Sequence, residues 1–315
     1  MTSISALRTL RELRRLGSVH AVAQAMHLAP SSVSQRIKGL GEECGMPLFE
    51  RSGRGGRLTD RGEAVAELAE KITHQWERGM VNIRSGASQA PRRSVSIGAF
   101  PSALTGCVLP AAERLRGQNH FQIELLEVDP RGAASQVEHA ELDMVLTLGE
   151  VLDADQSLDP RLTVRELWRE PFALVLPEAF ASAGDSTASI RNYADVPWVL
   201  PRRGSACDLM VGRHLARLGV RPRVVARSDD WSLVQRMACA TQGVALVPLT
   251  CVDEERGDVR VAPVRRTELL ERTVVALESV ESAGSRWLPL VRAELDRSAK
   301  ELIEQIQDRL PAITG

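Results

Sequence analysis

Between positions 31 and 38 the chain reads SSVSQRIK, and its polar members, Ser31, Ser32, Ser34, Gln35, Arg36 and Lys38, are side chains suited to reading the edges of base pairs. A Gln can form a bidentate contact to adenine, a Ser can donate or accept, and a Lys or Arg can reach guanine or a phosphate. At 100° per residue Val33, Ile37 and Leu40 gather on one side of a helix. Ser31, Gln35 and Lys38 then fall opposite, with Ser32, Ser34 and Arg36 on the flanks. Residues 18–43 therefore read as two short helices around a polar turn. In the first helix Val19, Val22, Ala23 and Met26 face inward, Ser18 caps the exposed amides, and Ala23 is small enough for a close helix crossing. An ordinary helical hairpin with a solvated polar face has the same pattern, so the flanking residues must decide.

The stretch PLFERSGRGGRLTDRG at 47–62 contains two short extended runs around a Gly/Arg-rich loop. This is a wing. Arg51, Arg54 and Arg57 stand where a hairpin beside a reading helix meets phosphates or the minor groove, giving affinity without sequence information. Gly53, Gly55 and Gly56 do not make a nucleotide-binding loop, because no helix opens directly after them.

A second group of chemical residues lies further along. Ser102 follows the run SIGAF, and Ser205 follows PWVLP with Arg202 and Arg203 just before it. Each serine is expected to open a helix, so hydroxyls, backbone amides and two cations suit an anion such as a carboxylate. Plain N-capping accounts for the same two serines, and both readings stay open here. Thr147 and Pro248 sit at other strand ends, and Phe100, Trp198 and Trp231 are candidate apolar walls or core residues. The six histidines form no HExxH or Cys/His cluster, so no metal or other cofactor is expected. Ser205, Asp208 and His214 are close in sequence, but without a GxSxG elbow they do not indicate a hydrolase, and no enzyme is expected.

The elements that must position these residues follow from periodicity. Leucines at 7, 10, 13 and 16 with Ile4 make a supporting helix. After Thr59, a helix to about Arg84 spans roughly 38 Å at 1.5 Å per residue, with an apolar stripe of Val65, Leu68, Ile72, Trp76, Met80 and Ile83. Its own head is too small to cover that stripe, which predicts a partner helix from a second subunit. Residues 85–94 read as a linker. Beyond it, short apolar runs (VSIGAF, FQIELLEV, LDMVLTLG, LTVRELW, PFALVLP, PWVLP, RVVARS, GVALVP, TVVALE) alternate with helical stretches at 102–116, 131–139, 207–218, 231–241 and 288–310, an α/β pattern that predicts mostly parallel sheets.

Charge is segregated: residues 1–90 carry 13 Lys plus Arg against 9 Asp plus Glu, leaving 27 against 32 for the remainder. A basic head on an acidic body fits a DNA reader. No charged-then-apolar leader and no apolar run of 18 residues is present, which predicts a cytoplasmic protein that does not span a membrane. Cysteines at 44, 107, 207, 239 and 251 lack CxxC spacing and are expected as free thiols.

Residues 1 to about 85, from LRTLRELRRLGSVHAVAQAMHLAPSSVSQRIKGLGEECG through MPLFERSGRGGRLTDRGEAV, resemble LysR-type transcriptional regulators. The resemblance implies an N-terminal winged helix-turn-helix (1–62, mainly α), a long linker helix and hinge (59–90), and an α/β two-subdomain effector domain (91–315) like periplasmic binding proteins. Its landmarks VSIGAFPSA, LDMVLTL, REPFALVLP, PWVLPRRGSACDLM and GVALVP recur in the family's order. They imply subdomains at 91–165 plus 270–315 and at 166–269, crossovers near 164–170 and 264–273, and an effector pocket between them. Operator DNA, a small-molecule effector, a dimer or tetramer and contact with RNA polymerase are implied as partners. Gly39 and Gly41 depart from the family pattern; each costs up to about 1 kcal/mol in a helix interior, so the reading helix is expected to fray at its C-terminal end. Two alternatives remain, a metabolite sensor with a vestigial DNA head and a thiol-based redox-responsive regulator using Cys207 with Cys239 or Cys251.

Overall fold

A computed structural model describes residues 3–52, 55–84, 93–116, 121–154, 158–180, 189–253, 257–262 and 264–313. They divide into two compact units whose boundary along the chain falls between Arg92 and Arg93. The linker expected at 85–94 lies, up to Arg92, outside the described residues.

In the first unit α1 (Ile4–Leu16), α2 (Val19–Ala25) and α3 (Pro30–Glu43) precede a hairpin of β1 (Phe49–Ser52) and β2 (Gly55–Leu58), and α4 (Asp60–Arg84) comes after it. Side-chain caps start α1 and α2, with Ser3 Oγ accepting from Ala6 N at 3.2 Å and Ser18 Oγ from Ala21 N at 3.1 Å, whereas α3 opens on Pro30 without one. Leu10, Leu13, Val22, Val33, Ile37, Leu40 and Leu48 form the core. Thr59 Oγ1 accepts from Gly62 N at 2.9 Å and donates to Pro47 O at 2.8 Å, so one hydroxyl caps α4 and ties it to the wing.

The expected fraying of α3 does not occur, because the helix runs on to Glu43 and Cys44 N still donates to Leu40 O. Gly41 is buried, and a Cβ there would meet Met46 O at 2.9 Å. That glycine is a contact point between α3 and the chain entering the wing. Gly62 has the same role more strongly, since a Cβ would lie 2.0 Å from Leu48 O.

The second unit is α/β. It contains β3 (Arg93–Ala99), α5 (Pro101–Ala103) leading through a π-turn into α6 (Leu109–Arg116), β4 (Phe121–Glu127), α7 (Ala133–Glu138), β5 (Met144–Leu148), α8 (Gly149–Ala154) and β6 (Leu162–Pro177). It continues with β7 (Pro197–Leu200), α9 (Ala206–Arg217), β8 (Arg223–Arg227), α10 (Trp231–Thr241), β9 (Ala245–Pro248), β10 (Val259–Ala262), β11 (Glu271–Ser279) and α11 (Leu288–Ile313). The expected mostly parallel sheet is in fact mixed. Among the described residues the parallel ladders are β3–β4, β3–β5 and β7–β8, whereas β11 runs antiparallel to both β5 and β6, and β6 antiparallel to β9 and β10. The reason is that the chain crosses between lobes twice in opposite directions. LTVRELW and PFALVLP, read as two strands, are one 16-residue strand, β6. Up to Pro171 it pairs with β11, and from Phe172 it pairs with β9 and β10.

The glycine geometry predicts opposite signs at two neighbouring positions. Gly39→Ala, with nothing within 4 Å of its Cβ, should raise the stability of the first unit by roughly 0.5–1 kcal/mol. Gly41→Ala should lower it despite the same gain in helix propensity. Urea unfolding of both variants, followed by circular dichroism, checks the pair.

Candidate nucleic-acid interface and ligand cleft

On α3, Ser31, Ser34, Gln35 and Lys38 are exposed, Ser32 and Arg36 are half-buried, and Val33, Ile37 and Leu40 are in the core. Arg36 Nη1 donates to Thr9 Oγ1 on α1 at 3.4 Å, which braces the long side chain. Lys38 Nζ lies 3.6 Å from Glu42 on the same helix, and Arg57 Nε donates to Glu50 Oε1 across the hairpin at 2.7 Å. Exposed pairs of this kind are worth at most about 1 kcal/mol. A phosphate can therefore replace either carboxylate at small cost. Arg54 and the side chain of Arg51 lie outside the described residues.

Helix α4 divides its apolar residues between two faces. Ala66, Ala69 and Thr73 are buried, flanked by ion pairs from Arg8 and Arg11 to Glu77 and from Arg14 to Glu63 and Glu70. Leu68, Ile72 and Trp76 of the expected stripe are 53, 38 and 50% exposed. Val65 and Met80 are half-buried, and the side chain of Ile83 lies outside the described residues.

In the second unit a cavity of about 260 Å³ opens at the carboxyl ends of β3, β4 and β5 on one lobe and of β7 and β8 on the other. Strand β3 has β4 on one side and β5 on the other, so the cavity sits where strand order reverses, the usual ligand position in open α/β sheets. Of the expected residues, Phe100, Ser102, Arg202, Ser205 and Trp231 line it. Thr147, Trp198, Arg203 and Pro248 do not. Thr147 is buried and donates to Pro130 O at 3.0 Å, Trp198 is a core residue donating to Tyr193 O at 2.9 Å, Pro248 pairs with Phe172 in the sheet, and Arg203 is exposed outside the lining.

The two serines differ. Ser205 Oγ caps α9, accepting from Asp208 N at 3.3 Å. Ser102 Oγ accepts instead from Arg272 Nη2 at 3.1 Å. The expected cation Arg202 is already engaged, with Nε 3.0 Å from Asp229 Oδ2 and its amide donating to Asp229 Oδ1 at 2.9 Å.

The cation that matters is Arg272, which sequence reasoning missed. It faces Glu170 in the β11–β6 register, and the two side chains are 1% and 0% exposed. Nε and Nη2 both donate to Glu170 Oε1, at 3.0 and 2.8 Å, and Thr250 supplies its amide and hydroxyl to Oε2 at 3.0 and 2.7 Å. Burial alone would raise the Glu170 carboxyl, but the Arg272 charge and the Thr250 hydrogen bonds outweigh it and hold it below its ordinary value. Burial likewise opposes the charge on Arg272, and Glu170 more than restores it. The available signal was position alone, Glu170 just before the apolar run at 172–176 and Arg272 just before that at 274–277, in strands that carry other charges as well.

A LysR substrate binding domain model matches residues 88–286, and a model of bacterial regulatory helix-turn-helix proteins of the lysR family matches residues 4–63. The chain belongs to the LysR family of transcriptional regulators. The regulator MetR of Salmonella typhimurium is 26% identical over 312 residues, covering 96% of this chain and 92% of MetR. Among solved structures, CbnR complexed with its target DNA shares the fold at a TM-score of 0.62 and 16% identity, covering 95% of this chain and 99% of that one. A variant of full-length OxyR from Pseudomonas aeruginosa does so at 0.60 and 20%, with 95% of both chains covered.

For this LysR-type chain the thiol-based alternative gains no support. Burial pushes the Cys207 thiol up to about 11 and raises Cys251 as well, which keeps both protonated and poorly nucleophilic.

The buried pair yields a stability prediction. Glu170→Gln leaves Arg272 charged without its counter-ion and should cost about 3–5 kcal/mol, whereas a joint Glu170→Leu/Arg272→Met replacement should recover most of it. Because the folded carboxyl titrates below the unfolded one, its contribution is present above the ordinary carboxylate range and is lost as pH falls through the folded value. Glu170→Gln should therefore show a shallower acid-side loss of stability in urea titrations across pH 3–7.

Proposed function

We propose that this regulator binds operator DNA as a homodimer through α3 and the β1–β2 wing, and that a small metabolite in the cleft of its second unit controls that binding. The observation carrying the DNA reading is the exposed row Ser31, Ser34, Gln35 and Lys38 on a helix whose other side is the core of the head. The width of the major groove admits such a helix, and these side chains match base edges. Ser32 and Arg36 flank the row, and the arginines of the wing supply phosphate affinity. The exposed Leu68, Ile72 and Trp76 of α4 support the dimer, since their cover must come from outside this head.

The regulatory step is linkage: a metabolite that prefers one arrangement of the two lobes shifts the population toward it, by no more than its difference in affinity. Regulation, not catalysis, is the role of the chain. Among the described residues no helix is long and apolar enough to cross a membrane, and a cytoplasmic location supports access to DNA.

Selection of genomic fragments at near-physiological salt, where phosphate-only binding weakens steeply, should recover a shared inverted repeat with half-sites about one helical turn apart. Gln35→Ala should then weaken selected sites by roughly tenfold to a hundredfold and relax one position of the motif, while Lys38→Ala should lower affinity with a reduced salt slope. Fragments without a common motif would remove the DNA reading. Trp76→Asp should shift sedimentation of the protein toward the monomer at unchanged helix content.

A further inference from the structure

The charges around the cleft do not suit a simple anion. Arg202 is cancelled by Asp229 and Arg272 by Glu170. The unpaired charges that remain in the lining itself are acidic, with the guanidinium of Arg131 turned to Gly204 O at the mouth. Asp129 is exposed, with only its Oδ2 at the 4.0 Å limit from Arg202, and Glu127 beside it has no ion pair among the described residues. A carboxylate alone would meet Asp129 and Glu127 in that lining.

At the floor the situation is reversed. Glu170 is saturated: Oε1 accepts from Trp168 Nε1 as well as Arg272, and Oε2 accepts twice from Thr250. Arg272 is not, because its buried Nη1 has no partner. The guanidinium stands over the Phe100 ring, 5.3 Å from its centroid, and lines the cavity. Nη2 occupies a lone pair of Ser102 Oγ, and the serine proton, which faces the Cys251 sulfur beside the cavity, is polarised by the cation behind it and can be donated to a stronger acceptor. The floor is a donor site for an anionic group.

A donor floor and an acidic rim, with Leu148 and Trp231 as apolar lining of the same cavity of about 260 Å³, define the occupant. We propose that the effector is a zwitterionic amino acid with an apolar side chain of moderate size. Its carboxylate accepts from Ser102 Oγ and Arg272 Nη1, its ammonium donates to Asp129 and Glu127, and its side chain lies against Phe100, Leu148 and Trp231. The volume is below that of sites for drug-sized ligands and matches a small metabolite. This replaces the carboxylate expected from Arg202 and Arg203, and it rests on the cleft being the effector site.

The test is thermal stabilisation of the full-length protein by the protein amino acids at millimolar concentration, each with its deamino acid and its decarboxylated amine. For leucine these are 4-methylpentanoate and 3-methylbutylamine. At least one apolar amino acid should raise Tm while neither of its halves does. Asp129→Asn, which keeps the Oδ1 acceptor for the Arg131 amide, should weaken that amino acid by roughly tenfold to a hundredfold, and Ser102→Ala by a similar factor. Glu127→Gln, at an exposed position, provides a second rim variant should Asp129→Asn lower the basal Tm. Stabilisation by a deamino acid equal to that by the amino acid, lost in Ser102→Ala, overturns the zwitterion and keeps the cleft. Stabilisation that survives both Ser102→Ala and Asp129→Asn overturns the cleft reading as well. No response to any amino acid also overturns the proposal.

Discussion

The ion pair between Arg272 and Glu170 lies where the two lobes of the second unit are joined. Both residues are nearly inaccessible, on crossover strands directly opposite one another, one residue before β6 exchanges β11 for β9 and β10 as partners. A buried pair is weak evidence for net stability, because an apolar pair of the same volume often does as well. Its consequence is geometric. Glu170 also binds Thr250 after β9, and Arg272 binds Ser102 after β3, so one pair registers a loop from each lobe against the crossover. Replacing it by apolar residues would keep the strands together and lose the placement of Ser102.

The head depends on contacts of a different kind. Its small core leaves little room, and the backbone of the Met46–Leu48 segment approaches α3 at Gly41 and α4 at Gly62 within distances that exclude a Cβ. These two approaches, with the double role of the Thr59 hydroxyl, set where the wing stands relative to the reading helix. Sequence-reading side chains on α3 are useful only if that offset is constant, because a bidentate base contact tolerates little displacement.

Much of this was legible in the sequence, and the exceptions have common causes. Periodicity located α1 through α4, since each buries one face against a small core and the 3.6-residue signal is undiluted. It also placed Phe100, Ser102 and Ser205 at strand ends that converge on the cleft. The mixed sheet was not legible: a strand buried on both faces reads as an apolar run whatever its direction, so β6 was divided in two at Glu170–Pro171. Arg202 looked like the anion-binding cation because it neighbours Ser205 in sequence, yet Asp229, far along the chain, neutralises it. Glu170 and Arg272 were hidden for the same reason. The meaning of a charge depends on its partner, and the partner here is about a hundred residues away, at a separation of 102.

The contacts that cross the mouth of the cleft show how a small ligand can govern the lobes. Arg131, after β4, donates to Gly204 O before α9, and Arg202 reaches toward Asp129 at 4.0 Å. The side chains involved are exposed, and such contacts are worth at most about 1 kcal/mol each. A ligand present at a hundred times its Kd contributes about 2.7 kcal/mol to the arrangement it prefers. The ligand term is therefore larger than either of these mouth contacts taken singly. The saturated Glu170 and the pinned Arg272 hold the crossover strands in register beneath that ligand.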